Sequence, residues 1–177
     1  HNLFDNLINA MQSHNEATLD LKTPSLLDFT TIGESNNYSF NLTIPVLFTL
    51  KAGEVNIAKS LDFQDKALTT TQDALEKLSF QIPQTSKLAE AQFQELGLTT
   101  LPSDLFYPKL TKFAQICRLY SSSQEGDLPL ETRLISSLIN PAKPSRLVLS
   151  TQQAELVPVL SDYLCHCDAI ERALILY

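Results

Sequence analysis

Between residues 38 and 51, Tyr38, Phe40, Leu42, Ile44, Val46, Phe48 and Leu50 take every even position. The odd positions hold Ser39, Asn41, Thr43, Pro45, Leu47, Thr49 and Lys51, so only Leu47 breaks the polar side. A period of two over this length predicts a β-strand with one face buried and one face wet. Phe40, Ile44 and Phe48 are then expected in the core, with Asn41 and Thr43 facing out. Pro45 has no N–H for a ladder bond, which places the strand at a sheet edge or at a bend between two strands. Lys51-Ala52-Gly53-Glu54 reads as a hairpin turn, and Val55 and Ile57 open the return strand. Ala17, Leu19 and Leu21 alternate with polar residues and predict a further short strand. Ahead of them, Leu3, Phe4, Leu7, Ile8 and Met11 form one stripe of a short helix.

Beyond residue 65 the period becomes helical. Thr70 with Asp73 resembles a helix start, and Pro83 ends that element. Ser86 to Leu96 predicts a second helix, with Gly97 as its C-terminal cap. Pro108 suits a first helical position, followed by a stripe of Leu110, Phe113, Ala114, Cys117 and Tyr120. Residues 121–126 read as a loop, and Leu130, Leu134, Ile135, Leu138 and Ile139 make the next stripe, ended by Asn140-Pro141. Arg146 to Leu149 suits a short strand. Ser150 with Gln153 resembles a capping box before a last helix carrying Leu160, Tyr163, Leu164, Cys167, Ile170 and Leu174. Pro158 kinks that helix or marks its start.

Strands first and helices afterwards predict an α+β fold. The expected architecture is an N-terminal antiparallel β-hairpin or sheet packed against a C-terminal layer of about four to five helices. A single domain over 1–177 is expected, β-rich over 1–62 and helical over 66–177, since no strong linker or repeat divides it.

Composition narrows the functions. The chain has 4 Gly in 177 residues, where ordinary usage gives about a dozen. Gly33, Gly53, Gly97 and Gly126 are scattered, so no Gly-rich phosphate loop and no nucleophile elbow is present. The net charge of −7 disfavours a nucleic-acid partner. No run of 18 apolar residues predicts a membrane span. The chain opens on His1 rather than Met and ends on an apolar Ala173-Leu174-Ile175-Leu176-Tyr177, which reads as a processed form or a piece of a longer protein, or else as an end packed inside. Three cysteines without regular spacing are no disulfide framework, and a reducing, cytoplasmic setting is the default. Two N-x-[ST] triplets, at Asn37 and Asn41, carry little weight.

The densest chemical cluster is Cys165-His166-Cys167-Asp168. Neighbouring helical positions point about 100° apart, so three consecutive residues cannot close on one ion, and no second Cys/His pair completes a zinc site. Cys117 and Cys167 fall on apolar stripes and are expected to be buried and unpaired. Carboxylate pairs such as Asp62 with Asp65 and Glu90 with Glu95 lie among polar residues that keep them solvated. No cofactor, metal or catalytic residue is therefore assigned.

The most suggestive surface is the uncharged outer side of the predicted strand, formed by Asn41, Thr43, Pro45, Leu47 and Thr49, because an edge with few charges is open to pairing with another chain. The alternative is that this chain covers its own edge. On this reading the protein is a non-catalytic protein-protein interaction or assembly module, acting with a protein partner or as a homo-oligomer. The alternatives are a small hydrolase or transferase with a site near Cys165 and His166, and a structural subunit of a larger complex.

Overall fold

The structure is a computed structural model that describes residues 19–32, 43–61, 71–120, 135 and 138–177. Five strands form one sheet: β1 (Leu27–Ile32), β2 (Ile57–Leu61), β3 (Leu98–Pro102), β4 (Arg146–Thr151) and β5 (Arg172–Leu176). They lie in the order β3-β2-β1-β4-β5, and every neighbouring pair is parallel. The helices are α1 (Thr43–Ala52), α2 (Thr71–Lys77), α3 (Ser86–Leu96), the single turn α4 (Ser103–Phe106), α5 (Pro108–Tyr120) and α6 (Leu156–Cys165).

Alternation along the strands divides the core in two. Ile32, Ala58, Leu101, Leu147 and Leu149 pack with α3, α4, α5 and α6. Phe29, Ile57, Leu61 and Leu98 pack with Leu47 of α1 and Leu75 of α2. Helices on both faces explain why the central strands carry almost no polar alternation. β2 reads Ile-Ala-Lys-Ser-Leu and β3 reads Leu-Thr-Thr-Leu-Pro, and all ten residues are buried.

The antiparallel N-terminal hairpin is overturned by this all-parallel sheet. Residues 43–52 are helical, and only residues 43–51 of the alternating run fall among those described. Three apolar residues, Ile44, Leu47 and Leu50, are spaced by three and turn inward together. Leu47, assigned to the wet side, is 1% exposed, whereas Phe48, assigned to the core, is 49% exposed. Pro45 sits in the first helical turn, where its missing N–H has no intrahelical partner to lose. The segment at 51–54 is indeed a turn, with Gly53 N–H bonded to the Thr49 and Leu50 carbonyls, but it joins a helix to a parallel strand. Strands also occupy the half expected to be helical, at β3 and β5, beside the short strand expected at Arg146.

Several local expectations hold. Thr85 caps α3 through its side chain at the Leu88 N–H (3.2 Å), and Gly97 closes the helix at φ 62° with its N–H on the Phe93 carbonyl. A side chain at Gly97 would meet Lys51 Nζ and Asn56 Oδ1 and have to displace them, besides straining the positive φ. Pro108 opens α5, and β4 begins at Arg146. The capping box at Ser150 does not form. Ser150 belongs to β4, Thr151 Oγ1 accepts the Gln153 N–H at 3.1 Å, and α6 starts only at Leu156. The last helix ends at Cys165, so Leu174 lies on a strand. Leu19 and Leu21 lie outside any strand, and the first helical stripe falls outside the described residues.

Candidate functional site

β1 and β4 are in register over six residue pairs, and β2 and β3 over five. Between β1 and β2 the register holds at one pair, Leu27 with Ile57. Past that point the two central strands part, and polar side chains fill the opening. Asp28, 1% exposed, stands where the ladder fails. Its Oδ1 accepts the backbone N–H of Phe29 (2.8 Å) and of Ser60 (3.3 Å), supplying an acceptor for strand groups that have lost a neighbouring carbonyl. Its Oδ2 accepts the Ser60 hydroxyl at 2.7 Å and the Asn140 amide at 2.6 Å.

Lys59 alternates to the other face, beside Phe29, and its ammonium turns back toward the opening. Nζ donates to the Ser60 carbonyl at 2.6 Å, lies 3.9 Å from Asp28 Oδ1, and sits 5.3 Å from the centre of the Phe29 ring. The lysine is 3% exposed. A cation and a carboxylate withdrawn from water together are tolerable because each offsets the charge of the other. The sheet thus carries a neutralised ion pair at its centre, between strands that have already opened.

Ser60, Leu61, Leu101, Ser103, Tyr107, Ile139 and Pro141 line a mainly apolar hollow of about 10 Å³ beside the opening, room for about one water. Burial pushes the Tyr107 phenol above its ordinary pKa. A wider polar groove of about 290 Å³ runs between Gln72, Ile82, Pro83, Gln84, Pro102 and Asp104. Both lie toward the carboxyl ends of β2 and β3. On the far side of β1, Thr30 Oγ1 and Gln153 Oε1 are buried without a hydrogen-bond partner. The strand order reverses between β1 and β4, the kind of point outside whose carboxyl ends parallel α/β sheets bind ligands, and the opening lies one strand over, between β1 and β2.

None of these residues was given a functional role from the sequence, where Pro83, Asn140, Pro141 and Gln153 appear only at helix ends. Asp28, Lys59 and Asn140 are separated by long stretches of chain, and no short spacing links them. The available signal was a Lys and a Ser inside the apolar run 57–61. The residues that were singled out fall elsewhere. Thr43, Pro45, Leu47 and Thr49 belong to α1, and no strand edge passes through them. Asn41 lies outside the described residues, as do Asp62 and Asp65. Cys165 is exposed and Cys167 half-buried, both unpaired, and nothing is described of the Cys117 side chain. The expected burial of Cys167 is only partial. His166 Nδ1 bonds the Asp162 carbonyl at 2.7 Å on the surface. These residues end α6 just before β5 begins, at the amino ends of the strands and away from the opening. Among the described residues, no three His, Cys, Asp or Glu side chains converge to hold a metal.

A parallel α/β sheet with helices on both faces and a polar crevice at its carboxyl ends defines the class. The particular fold is that of anthranilate phosphoribosyltransferase. The enzyme of that name from Thermus thermophilus superposes with a TM-score of 0.72 at 22% identity, covering 88% of this chain and 45% of the enzyme. The enzyme from Saccharomyces cerevisiae, solved in complex with PRPP and Mg, gives 0.73 at 15% identity over 95% of this chain and 44% of its own. By sequence, anthranilate phosphoribosyltransferase of Chlorobaculum parvum is 26% identical over 147 residues, 82% of this chain and 39% of the relative. That of a Synechococcus strain is 26% identical over 159 residues, 89% of this chain and 44% of the relative. No family model matches. The chain spans about two fifths of the length of the curated relatives it matches. These relatives catalyse a transfer, which overturns the reading of the chain as a non-catalytic interaction module or assembly subunit. The transferase alternative agrees with them better.

Proposed function

We propose that this chain forms the sheet-bearing part of a phosphoribosyltransferase, with the donor bound at the carboxyl ends of β1 and β2. The observation that carries this reading is the opened sheet centre, with the buried Lys59–Asp28 pair inside it. In such a transfer an amine nitrogen forms a bond to the ribose C1 of PRPP. The C1–oxygen bond breaks, pyrophosphate leaves with the electron pair, and the nitrogen loses a proton. The departing group gains negative charge as it leaves, so a fixed cation near it lowers the barrier. The Lys59 ammonium has three donors, of which the Ser60 carbonyl takes one. Asp28, the second residue of β1, holds it in the sheet interior below the strand ends, and Ser60, Ser103 and Tyr107 are among the residues that line the adjoining hollow. Among the described residues no carboxylate cluster forms that would hold Mg.

One observation favours a second reading. This chain matches 39% of the length of the Chlorobaculum parvum relative, which suits donor binding without turnover. Calorimetry with PRPP, followed by an assay of anthranilate consumption, separates the two. Binding with turnover supports the transferase. Binding without turnover selects the second reading. No PRPP binding by the wild type overturns both.

Among the described residues, no helix is long and apolar enough to cross a membrane. A cytoplasmic setting is part of the proposal. So is a protein partner or second copy in place of nucleic acid, supported by the net charge of −7 and by exposed Leu174, Leu176 and Tyr177 at the edge strand β5. Light scattering over a concentration series tests self-association.

A further inference from the structure

Asn140 enters the opening from a segment 112 residues away from Asp28 in sequence. It is 7% exposed. Its Nδ2 donates to Asp28 Oδ2 (2.6 Å) and to the Ala58 carbonyl (3.0 Å), and its Oδ1 accepts the Ala142 N–H (2.8 Å). One carboxamide therefore clasps β1, β2 and its own loop. The residues on either side of it, Ile139 and Pro141, line the hollow together with Ser60. The loop then turns sharply, with the Lys143 N–H on the Asn140 carbonyl (3.0 Å) and Lys143 at φ 49°.

We propose that Asn140 is a positioning residue. It locks the Asp28 carboxylate between Ser60 and the incoming loop, and thereby fixes the Ser60 end of β2, the Lys59 ammonium and the Pro141 wall for the phosphoribosyl ligand. This inference rests on the functional reading above. Asp28 has two oxygens to place among Phe29, Ser60 and Asn140, and the amide at 2.6 Å holds Oδ2 on the side where the Ser60 hydroxyl meets it. Losing the amide leaves the carboxylate able to turn toward Lys59, 3.9 Å from Oδ1, and draw the ammonium inward. A misplacement of about 1 Å in a positioned group is enough to weaken a site severalfold or more.

The test uses Asn140→Ala and Asn140→Asp in the full chain, with calorimetric PRPP affinity and cooperative unfolding measured for each. Asn140→Ala should lower affinity about tenfold or more in protein that still unfolds cooperatively. Asn140→Asp sets a second carboxyl against Asp28, with Lys59 from β2, Tyr107 beside the hollow and Lys143 on its own loop as the other titratable groups in reach. Two carboxylates this close cannot both stay ionised. Relative to wild type at the same pH, its affinity should be poorest at neutral pH and recover toward pH 5, as one carboxyl gains a proton and donates as the amide does. A merely space-filling role predicts lower stability with unchanged affinity of the folded protein, and a flat ratio of variant to wild type across pH. Either result overturns the inference alone. Should Asn140→Ala fail to fold, the pH ratio of Asn140→Asp decides. Wild type that binds no PRPP overturns the functional reading and this inference with it.

Discussion

Asp28 accepts from four donors, and Lys59 gives to one carbonyl. The two charges are therefore not equally replaceable. Removing the carboxylate strands a buried ammonium and orphans the Ser60 and Asn140 donors as well. Breaking a buried pair in this way costs about 3–5 kcal/mol. Asp28→Ala should fall in that range by urea unfolding, and Lys59→Met should cost clearly less, because Asp28 keeps its four donors. Equal losses would show that the pair attraction, not the hydrogen-bond web, carries the stability. Tyr107 gives a separate residue-scale test. Its phenol is raised by burial alone, so the folded state holds the proton above the ordinary value of 10.0. The unfolded chain gives up that proton first, and stability must fall as pH rises past about 10. Tyr107→Phe should flatten that alkaline decline, read as the urea midpoint between pH 9 and 11.

At the scale of the element, α1 shows why the sequence pattern misled. Its ten residues Thr-Ile-Pro-Val-Leu-Phe-Thr-Leu-Lys-Ala are apolar around most of the cylinder, so even-position alternation and an i, i+3 stripe coexist in them. Periodicity alone does not separate the two cases in a short apolar run. β3 was missed for the opposite reason: buried on both faces, it has no alternation to detect, and β2, buried likewise, was legible only as the return arm of a hairpin. Elements with real punctuation were legible. Gly97 and Pro108 mark α3 and α5 because caps and first-turn prolines are local chemistry, indifferent to what packs against the helix. The polar centre was illegible because Asp28, Lys59 and Asn140 meet only through the sheet order. A pair of substitutions tests the helical assignment of α1. Leu47→Ala should cost about 2–5 kcal/mol, as a buried leucine does, and Phe48→Ala should stay within about 0.5 kcal/mol of wild type, as exposed positions do. A strand with the opposite inward face would reverse that order in a denaturant titration.

At the scale of the molecule, a parallel sheet has two unlike ends. All five strands point the same way, so every return segment delivers chain to the amino ends and every strand releases it at the carboxyl ends. The hollow at Ser60 and Tyr107 and the groove at Pro102 lie at the carboxyl end, and the opening between β1 and β2 runs toward that end from Asp28, the second residue of β1. Cys165 and His166 sit where α6 hands over to β5, at the other end. The two places make opposite predictions. Cys165→Ser and His166→Ala, both on exposed side chains, should leave PRPP affinity and stability near wild type, with stability changes within about 0.5 kcal/mol. Lys59→Met, by contrast, should lose most of the affinity while the chain still folds, because the only change at the strand ends is the missing cation. Calorimetry on the three variants reads this directly. If affinity were lost at Cys165 or His166 and kept at Lys59, ligand binding would lie at the amino ends, and the carboxyl-end site would be wrong.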